Sequence, residues 1–434
     1  MTHPHWPMKS IGDLFEIGAG KTMSARAREG LHRRPFLRTS NVLWDEIDLS
    51  LIDEMAITDE ELRDKSLAPG DLLVCEGGDI GRAAVWTGQC EVMSFQNHLH
   101  RLRPKTNLTC SRFYVYFLQC GFTQLGIFDG AGNKTTIPNL SKSRLAGLDV
   151  PLPPFEEQQA ITALLSKVRD GIGMHAEAQR LATELKTASM NRLFTRGLRG
   201  EAQKETEIGW VPESWDVTSF NSVRDWLQYG TSTRCDVKEA TYPVLRIPNI
   251  GAGKVEPTDL KYCDMTVAEA CKYILERGDL IFIRTNGVLT RLGSCAVYDD
   301  QPPKALFASY LIRARLKVDV VSPRFVAHFY GSALGTSLVA GRATPASDGK
   351  YNLNTGTIDA LPLPLPPTVQ EQEEIADFLD AIDRKMALHQ QKRAVLEDLF
   401  KALLHKLMTG EIDVNDLNLQ ALSAHEPATE GSLV

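Results

Sequence analysis

Leu152-Pro153-Pro154-Phe155 falls one residue short of the Asn/Asp-Pro-Pro-aromatic motif with which amino-methylating enzymes grip a flipped base. The residue it lacks is the one that would hydrogen-bond the amine, and leucine has no polar side-chain atom to do so. A second copy, Leu365-Pro366-Pro367-Thr368, lacks the aromatic as well. Both copies stand just ahead of a helical pattern, where prolines act as punctuation. Gly18-Ala19-Gly20-Lys21-Thr22 has the ending of a phosphate loop, but Phe15 takes the place of its first glycine, so the cradle of backbone amides is incomplete. That stretch reads as a turn or a DNA-facing loop. Glu184-Leu185-Lys186 matches the tail of a nuclease motif without the acidic partner that should precede it. A salt-bridged helix face accounts for it. Eight cysteines (Cys75, Cys90, Cys110, Cys120, Cys235, Cys263, Cys271 and Cys295) form no CxxC pair and have no paired histidines beside them. That argues against a zinc site or a disulfide framework. The residues point to no catalytic centre, no metal and no cofactor.

Side chains able to read base edges are present instead. Sequence readout uses Arg, Lys, Asn, Gln, Ser or Thr at the bases, backed by phosphate contacts. Three loop pairs hold such residues at matched places with different letters. Glu76 to Arg82 faces Arg284 to Arg291, Ser94 to His98 faces Leu306 to Tyr310, and Gly130 to Thr136 faces Gly341 to Lys350. Together with the Gly18 to Thr22 turn, they give the candidate DNA-binding set. It is Lys21, Thr22, Arg82, Gln96, Asn97, Asn133 and Lys134 in one half, and Thr285, Asn286, Arg291, Tyr310, Arg342 and Lys350 in the other. The alternative is that such loops differ only because solvent-exposed segments drift freely.

The elements that must hold these loops come from an internal repeat. PFLRTSNV (Pro35 to Val42) matches PVLRIPNI (Pro243 to Ile250), an offset of 208, and PGDLLV (Pro69 to Val74) matches RGDLIF (Arg277 to Phe282) at the same offset. FQNHLHRLRPK and FASYLIRARLK follow, then RFYVYF and RFVAHF, then PLPPFEEQQAI and PLPPTVQEQEEI, the offset drifting only to 214. A period of this size is a domain duplication, not a solenoid. In each unit, Gly-Asp and Asn turns separate short apolar runs such as Asp71 to Val74, Leu280 to Ile283 and Leu311 to Leu316, which read as strands. Arg112 to Cys120 has a helical pattern. A small α/β domain with a mixed, twisted sheet is expected.

A long helix should follow each domain. Pro153-Pro154 and Pro366-Pro367 open the two helices, and Glu156, Glu157, Glu371, Glu373 and Glu374 crowd their positive ends. Ile161, Leu165, Val168, Ile172, His175, Leu181 and Leu185 form a stripe on the first. Ile375, Leu379, Ile382, Met386, His389, Leu396, Leu399, Leu403 and Leu407 form one on the second. Gly197 and Gly410 follow basic last turns and suit helix stops. The two stripes should cover each other in an antiparallel coiled coil, a rod of ~60 Å at 1.5 Å per residue.

This arrangement resembles the DNA-specificity (S) subunit of type I restriction-modification systems over residues 6 to 412. The two PLPP…EQ…I helix openings and the Gly209 to Trp215 segment GWVPESW carry the likeness. The resemblance implies target-recognition domain 1 at 1–152, a central helix at 153–200, recognition domain 2 at 201–365 and a distal helix at 366–412; residues 413–434, with Asp413, Asp416, Glu426 and Glu430 and no Lys or Arg, read as an acidic tail outside the likeness. It implies a non-catalytic subunit whose domains each read half of a bipartite, asymmetric site in double-stranded DNA. Its helices would dock two methyltransferase subunits, and motor-nuclease subunits would join the full complex. A self-contained methyltransferase or nuclease, and a scaffold that binds no DNA, are the alternatives. A formal net charge of -7 counts mildly against a chain that binds DNA alone, since phosphate neutralisation supplies most non-specific affinity. No run approaches the ~20 apolar residues of a membrane span, and MTHPHWPMKS has no signal-like apolar region, so the cytoplasm is expected.

Overall fold

The computed structural model describes residues 6–126, 140–236 and 240–417. The chain divides into two compact units, Met1–His175 with Lys392–Val434, and Ala176–Gln391. Each unit therefore takes one half of each long helix. None of the helices is long and apolar enough to cross a membrane, among the described residues.

In the first unit, an antiparallel sheet runs in the order Phe15–Ala19, Leu99–Pro104, Leu72–Cys75, Ala83–Val85. Its inner strand Leu72–Cys75 is buried on both faces, which is why Leu72-Leu73-Val74-Cys75 is continuously apolar. Leu72, Val74 and Leu102 face the helix Ser111–Thr123, and Leu73, Cys75 and Leu99 face Leu37, Val42, Trp86 and Phe95. A second small sheet, Asp53–Ala56, Arg33–Leu37 and Ser94–Phe95, has one antiparallel and one parallel pair. The second unit repeats this plan. Its main sheet is Arg224–Tyr229, Leu311–Leu316, Leu280–Ile283, Cys295–Val297, Gly253–Lys254, ending on a parallel pair. Its small sheet is Lys261–Cys263, Tyr242–Leu245, Leu306–Phe307. The expected mixed α/β domain is present twice.

The repeated letters are scaffold locks. Asn41 accepts from Arg38 N–H at 2.8 Å and donates to the Asp48 and Leu51 carbonyls, and Asn249 does the same with Arg246, Glu256 and Thr258. Asp71 accepts from Nε and Nη2 of Arg103 at 2.7 Å each, and Asp279 from Nε and Nη2 of Arg315 at 2.9 and 3.1 Å. The preceding glycines, Gly70 and Gly278, have φ of +94° and +93°, a conformation that disfavours any side chain. Gly20, in the apparent phosphate loop, and its counterpart Gly230 lie flush against the neighbouring strand. A Cβ there would come within 2.3 Å of the Gln96 carbonyl or 2.2 Å of the Ala308 carbonyl.

The long helices are Phe155–Arg196 and Val369–Thr409. Their packing is antiparallel within each unit. In the first, Ile161, Leu164, Leu165 and Val168 pack with Phe400, Leu404, Leu407 and Met408. In the second, Met190, Leu193 and Phe194 share a core with Ile375 and Leu379. The stops are as expected, with Gly197 at φ +63° and Gly410 at +73°. The stripe departs from expectation towards the helix middles. Leu181, Leu185 and Leu399 are 50%, 54% and 40% exposed, while Ala182, Met190 and Phe400 are buried. A stripe drawn from the helix start drifts about 20° per heptad, so it leaves the seam as it advances. Lys186, read as a salt-bridged face, fills the seam by meeting Asp383 at 2.6 and 2.8 Å.

The EQ pair of each helix opening also has a physical role. Gln158 is fully buried, accepts from Cys110 N–H at 2.9 Å and donates to the Leu108 and Pro153 carbonyls. Gln372 accepts from Ser322 N–H at 2.8 Å and donates to the Val320 carbonyl. Beside them Glu157 accepts from the Trp6 indole at 3.1 Å, and Glu371 from Trp215 at 3.3 Å. Each helix start is thus pinned to the domain before it.

Candidate nucleic-acid interface

At the sheet edge of the first unit, Lys21 and Gln96 are neighbours across an isolated parallel bridge, and Asn97 N–H donates to the Lys21 carbonyl at 3.0 Å. Three of the predicted residues, 75 positions apart in the chain, therefore meet, with exposed Thr22 beside them. Lys21 also lines a cleft with Arg26, His32, Thr58 and Lys65. Its ammonium is paired with Glu61, whose carboxyl is lowered first by that hydrogen bond and then by the Thr58 backbone. Arg82 turns inward. It donates to the Thr39 carbonyl at 3.0 Å and pairs with Asp79 at 2.9 Å. Asn133 and Lys134 lie outside the described residues.

The second unit gathers more of its set. Thr285, Asn286, Tyr310 and Lys350 line one pocket of about 220 Å³ with Ile247 and Gly287. Short strands create it, because Thr285-Asn286 pairs with Tyr351-Asn352, the strand that Lys350 leads into. Thr285 is buried, Tyr310 is 57% exposed, and Lys350 is tied to Asp348 at 2.8 Å. That pair lowers Asp348 and raises Lys350 from their ordinary values. Such a pocket offers hydrogen-bonding atoms and an aromatic face to a ligand presenting an edge. Arg291 and Arg342 stand elsewhere, donating to the Ile250 and Leu338 carbonyls at 3.2 and 3.1 Å.

The two tips share a backbone and differ in charge. Glu76 donates its N–H to the His98 carbonyl, and its own carbonyl accepts from Leu140 N–H, at 2.9 Å each. Arg284 makes the same two bonds with Tyr310 and Leu353, at 3.1 and 2.7 Å. The Arg284 guanidinium lies 4.8 Å from the centre of the Tyr229 ring.

Sequence reasoning passed over Arg26 and Arg28, both exposed on the short helix Ala25–Glu29. The signal was there: five arginines fall between positions 26 and 38, against two, Arg234 and Arg246, over 234–246 in the repeat.

Behind the interfaces, ion clusters join each domain to its helices. In the first unit the acid is Asp45, in a domain turn, taking Arg112 at 2.7 and 2.8 Å, the Tyr116 hydroxyl at 2.6 Å and Arg169 at 3.6 Å. In the second it is Asp380, on the long helix, taking Arg324 at 3.0 Å, His328 at 3.1 Å and Lys254 at 3.9 Å. Burial pushes Asp380 up, but hydrogen bonds from His328 and Arg324 and the charges of His328 and Lys254 hold it well below the usual carboxylate range. His328, Asp380 and Asp383 have metal-ligand spacing. Arg324 and Lys186 already neutralise the two carboxylates, so the group fits ion pairing better than a metal.

The chain matches the family model of the type I restriction modification DNA specificity domain twice, over residues 4–182 and 213–398. It is 24% identical over 423 residues to the MjaVIII type I restriction enzyme specificity subunit of Methanocaldococcus jannaschii, covering 95% of this chain and 94% of that one. It is 23% identical over 398 residues to the EcoKI specificity subunit of Escherichia coli, covering 87% and 82%. Its fold is similar to that of the type I restriction-modification S subunit from M. genitalium, with a TM-score of 0.58, 15% identity, and coverage of 93% and 96%.

Proposed function

The chain belongs to the type I restriction-modification DNA specificity family, and from that premise we propose that its two repeats read the two different halves of a bipartite, asymmetric DNA site. One observation carries the reading: matched backbone hydrogen bonds place Glu76 at one tip and Arg284, stacked on Tyr229 and donating to the Ser309 carbonyl at 3.3 Å, at the equivalent tip. Two readers of one half-site would not need opposite charges at matched positions. Thr285, Asn286, Tyr310 and Lys350 act at base edges in one half-site, and Lys21, Thr22, Gln96 and Asn97 in the other. Asn133, Lys134, Arg342 and Arg291 belong to the same proposal as flanking contacts, and Arg82 as the brace of its tip.

The domain limits are those of the sequence, 1–152, 153–200, 201–365, 366–412 and 413–434. The subunit is non-catalytic and works in the cytoplasm, its helices docking two methyltransferase subunits and the whole recruiting motor-nuclease subunits.

The test is methylation-site mapping of the assembled methyltransferase after Arg284 to Arg291 is replaced by Glu76 to Arg82. One half-site should change and the other persist. A change in both, or a continuous palindromic wild-type site, overturns the two-reader model. Label transfer from S-adenosylmethionine to DNA by the purified chain alone would overturn the non-catalytic assignment.

A further inference from the structure

Asp236 and Tyr262 exchange both backbone hydrogen bonds across an antiparallel bridge, at 2.9 and 2.8 Å. The next pair outward, Cys235 and Cys263, is therefore a non-hydrogen-bonded pair. In such pairs the Cα atoms lie ~4.5 Å apart and the side chains stand on one face. A disulfide spans Cα separations of ~4.4–6.8 Å. The two sulfurs share one small cluster with Tyr242, Val244 and Leu306, and the Cys235 thiol donates to the Thr233 carbonyl at 3.3 Å. Cys235 is half-buried and Cys263 buried, so one sulfur is within reach of solvent and the other is shielded behind it.

We propose that Cys235 and Cys263 are a covalent modification site, a dithiol that closes to an intramolecular disulfide by exchange with a low-molecular-weight disulfide such as oxidised glutathione. Cys235 is the attacking sulfur. Burial raises both thiols. At Cys235 the neighbouring Cys263 thiol and the charges of Arg246 and Lys261 oppose that rise, whereas Cys263 is pushed up to about 11. The Cys235 thiolate attacks one sulfur of the oxidant, forming a mixed disulfide and releasing one glutathione thiolate. The Cys263 thiolate then attacks the Cys235 sulfur and expels the second. The two cysteine protons end on the two released thiols. The protein loses two electrons and the oxidant gains them. The crosslink would tie the segment that starts at Thr231 to the strand Lys261–Cys263. Thr231 itself accepts from Ser309 N–H at 2.8 Å, next to Tyr310.

The experiment treats the folded full-length chain with oxidised glutathione, blocks free thiols and maps peptides by mass spectrometry without reduction. The expected product is a Cys235–Cys263 crosslink that dithiothreitol reverses. Adducts on exposed Cys90 and Cys271 report that the reagent reached the protein. Cys263→Ser should convert the crosslink into a stable glutathione adduct on Cys235, and Cys235→Ser should give neither. Circular dichroism of both variants checks the fold. A persistent Cys235 adduct in the wild type, or no reaction at either residue while Cys90 and Cys271 are modified, overturns the proposal. The readout is chemical, so it stands or falls independently of the DNA-reading assignment.

Discussion

The two recognition domains agree at the residues that lock their turns and sheets and differ at their tips. Asp71 and Asp279 grip an arginine in the same way, and Asn41 and Asn249 close the same turn. At the tips, Glu76 answers to Arg284 and His98 to Tyr310. The clusters behind the domains differ in a third manner. Arg112 and Arg324 are equivalent, yet the acid they meet sits in a domain turn in one case and on a long helix in the other. A duplicated chain thus separates the side chains that make the fold from those free to specialise, and each class has its own test.

The largest effects should come from the shared locks. Asp71 and Asp279 are buried while Arg103 and Arg315 are part-exposed, so removing the carboxylate loses charge-assisted hydrogen bonds of about 1.5–3 kcal/mol each. Asp71→Ala should therefore strip hydrogen-exchange protection from Leu72–Cys75 and Leu99–Pro104 and leave Leu280–Ile283 unchanged, with Asp279→Ala doing the reverse. Equal loss in both domains from either variant would break the claim that each lock serves its own domain. The helix seam comes next. Leu379 is fully buried and Leu399 is 40% exposed. Leu379→Ala should cost about 2–5 kcal/mol in urea unfolding, and Leu399→Ala within about 0.5 kcal/mol. Similar midpoints for the two would return Leu399 to the seam.

The tips should give smaller, selective effects. A good base-edge contact discriminates by about 1–3 kcal/mol, so Tyr310→Ala should relax methylation specificity in one half-site alone. Relaxation at both half-sites, or at neither, would count against a reading role. The smallest effect sharpens the charge contrast. Arg26→Ala with Arg28→Ala should lower the salt slope of DNA affinity by about 1 for each phosphate no longer neutralised, with no change in the mapped site. An unchanged slope removes these arginines from the phosphate surface.

Much of this was legible in the sequence because duplication prints every structural constraint twice. The strands Leu280–Ile283 and Leu311–Leu316, the helix starts and the glycine stops all follow from local pattern. The middle of the seam did not, because Leu181 and Leu185 satisfy the same spacing as Ala182 and Met190, and only packing chooses between them. Among the site residues, Lys21 and Gln96 were legible as loop residues but not as neighbours, since a parallel bridge joins them. Arg82 has the letters of a reader. Its long side chain finds the carbonyl left by the turn at Thr39 instead, a partner that no local pattern names.

The split of the long helices has a consequence for how the chain is made. The first unit is completed by residues after Lys392, whose Phe400, Leu404 and Leu407 cover Ile161, Leu164 and Leu165. The ribosome delivers those partners after the whole second unit. At about 5–20 residues per second, the gap between Leu165 and Leu404 is on the order of ten seconds to a minute of synthesis. Through that interval the opening half of the first long helix waits with an apolar face uncovered, although its own domain is already out. The N-terminal domain is thus translated before the second and closed after it.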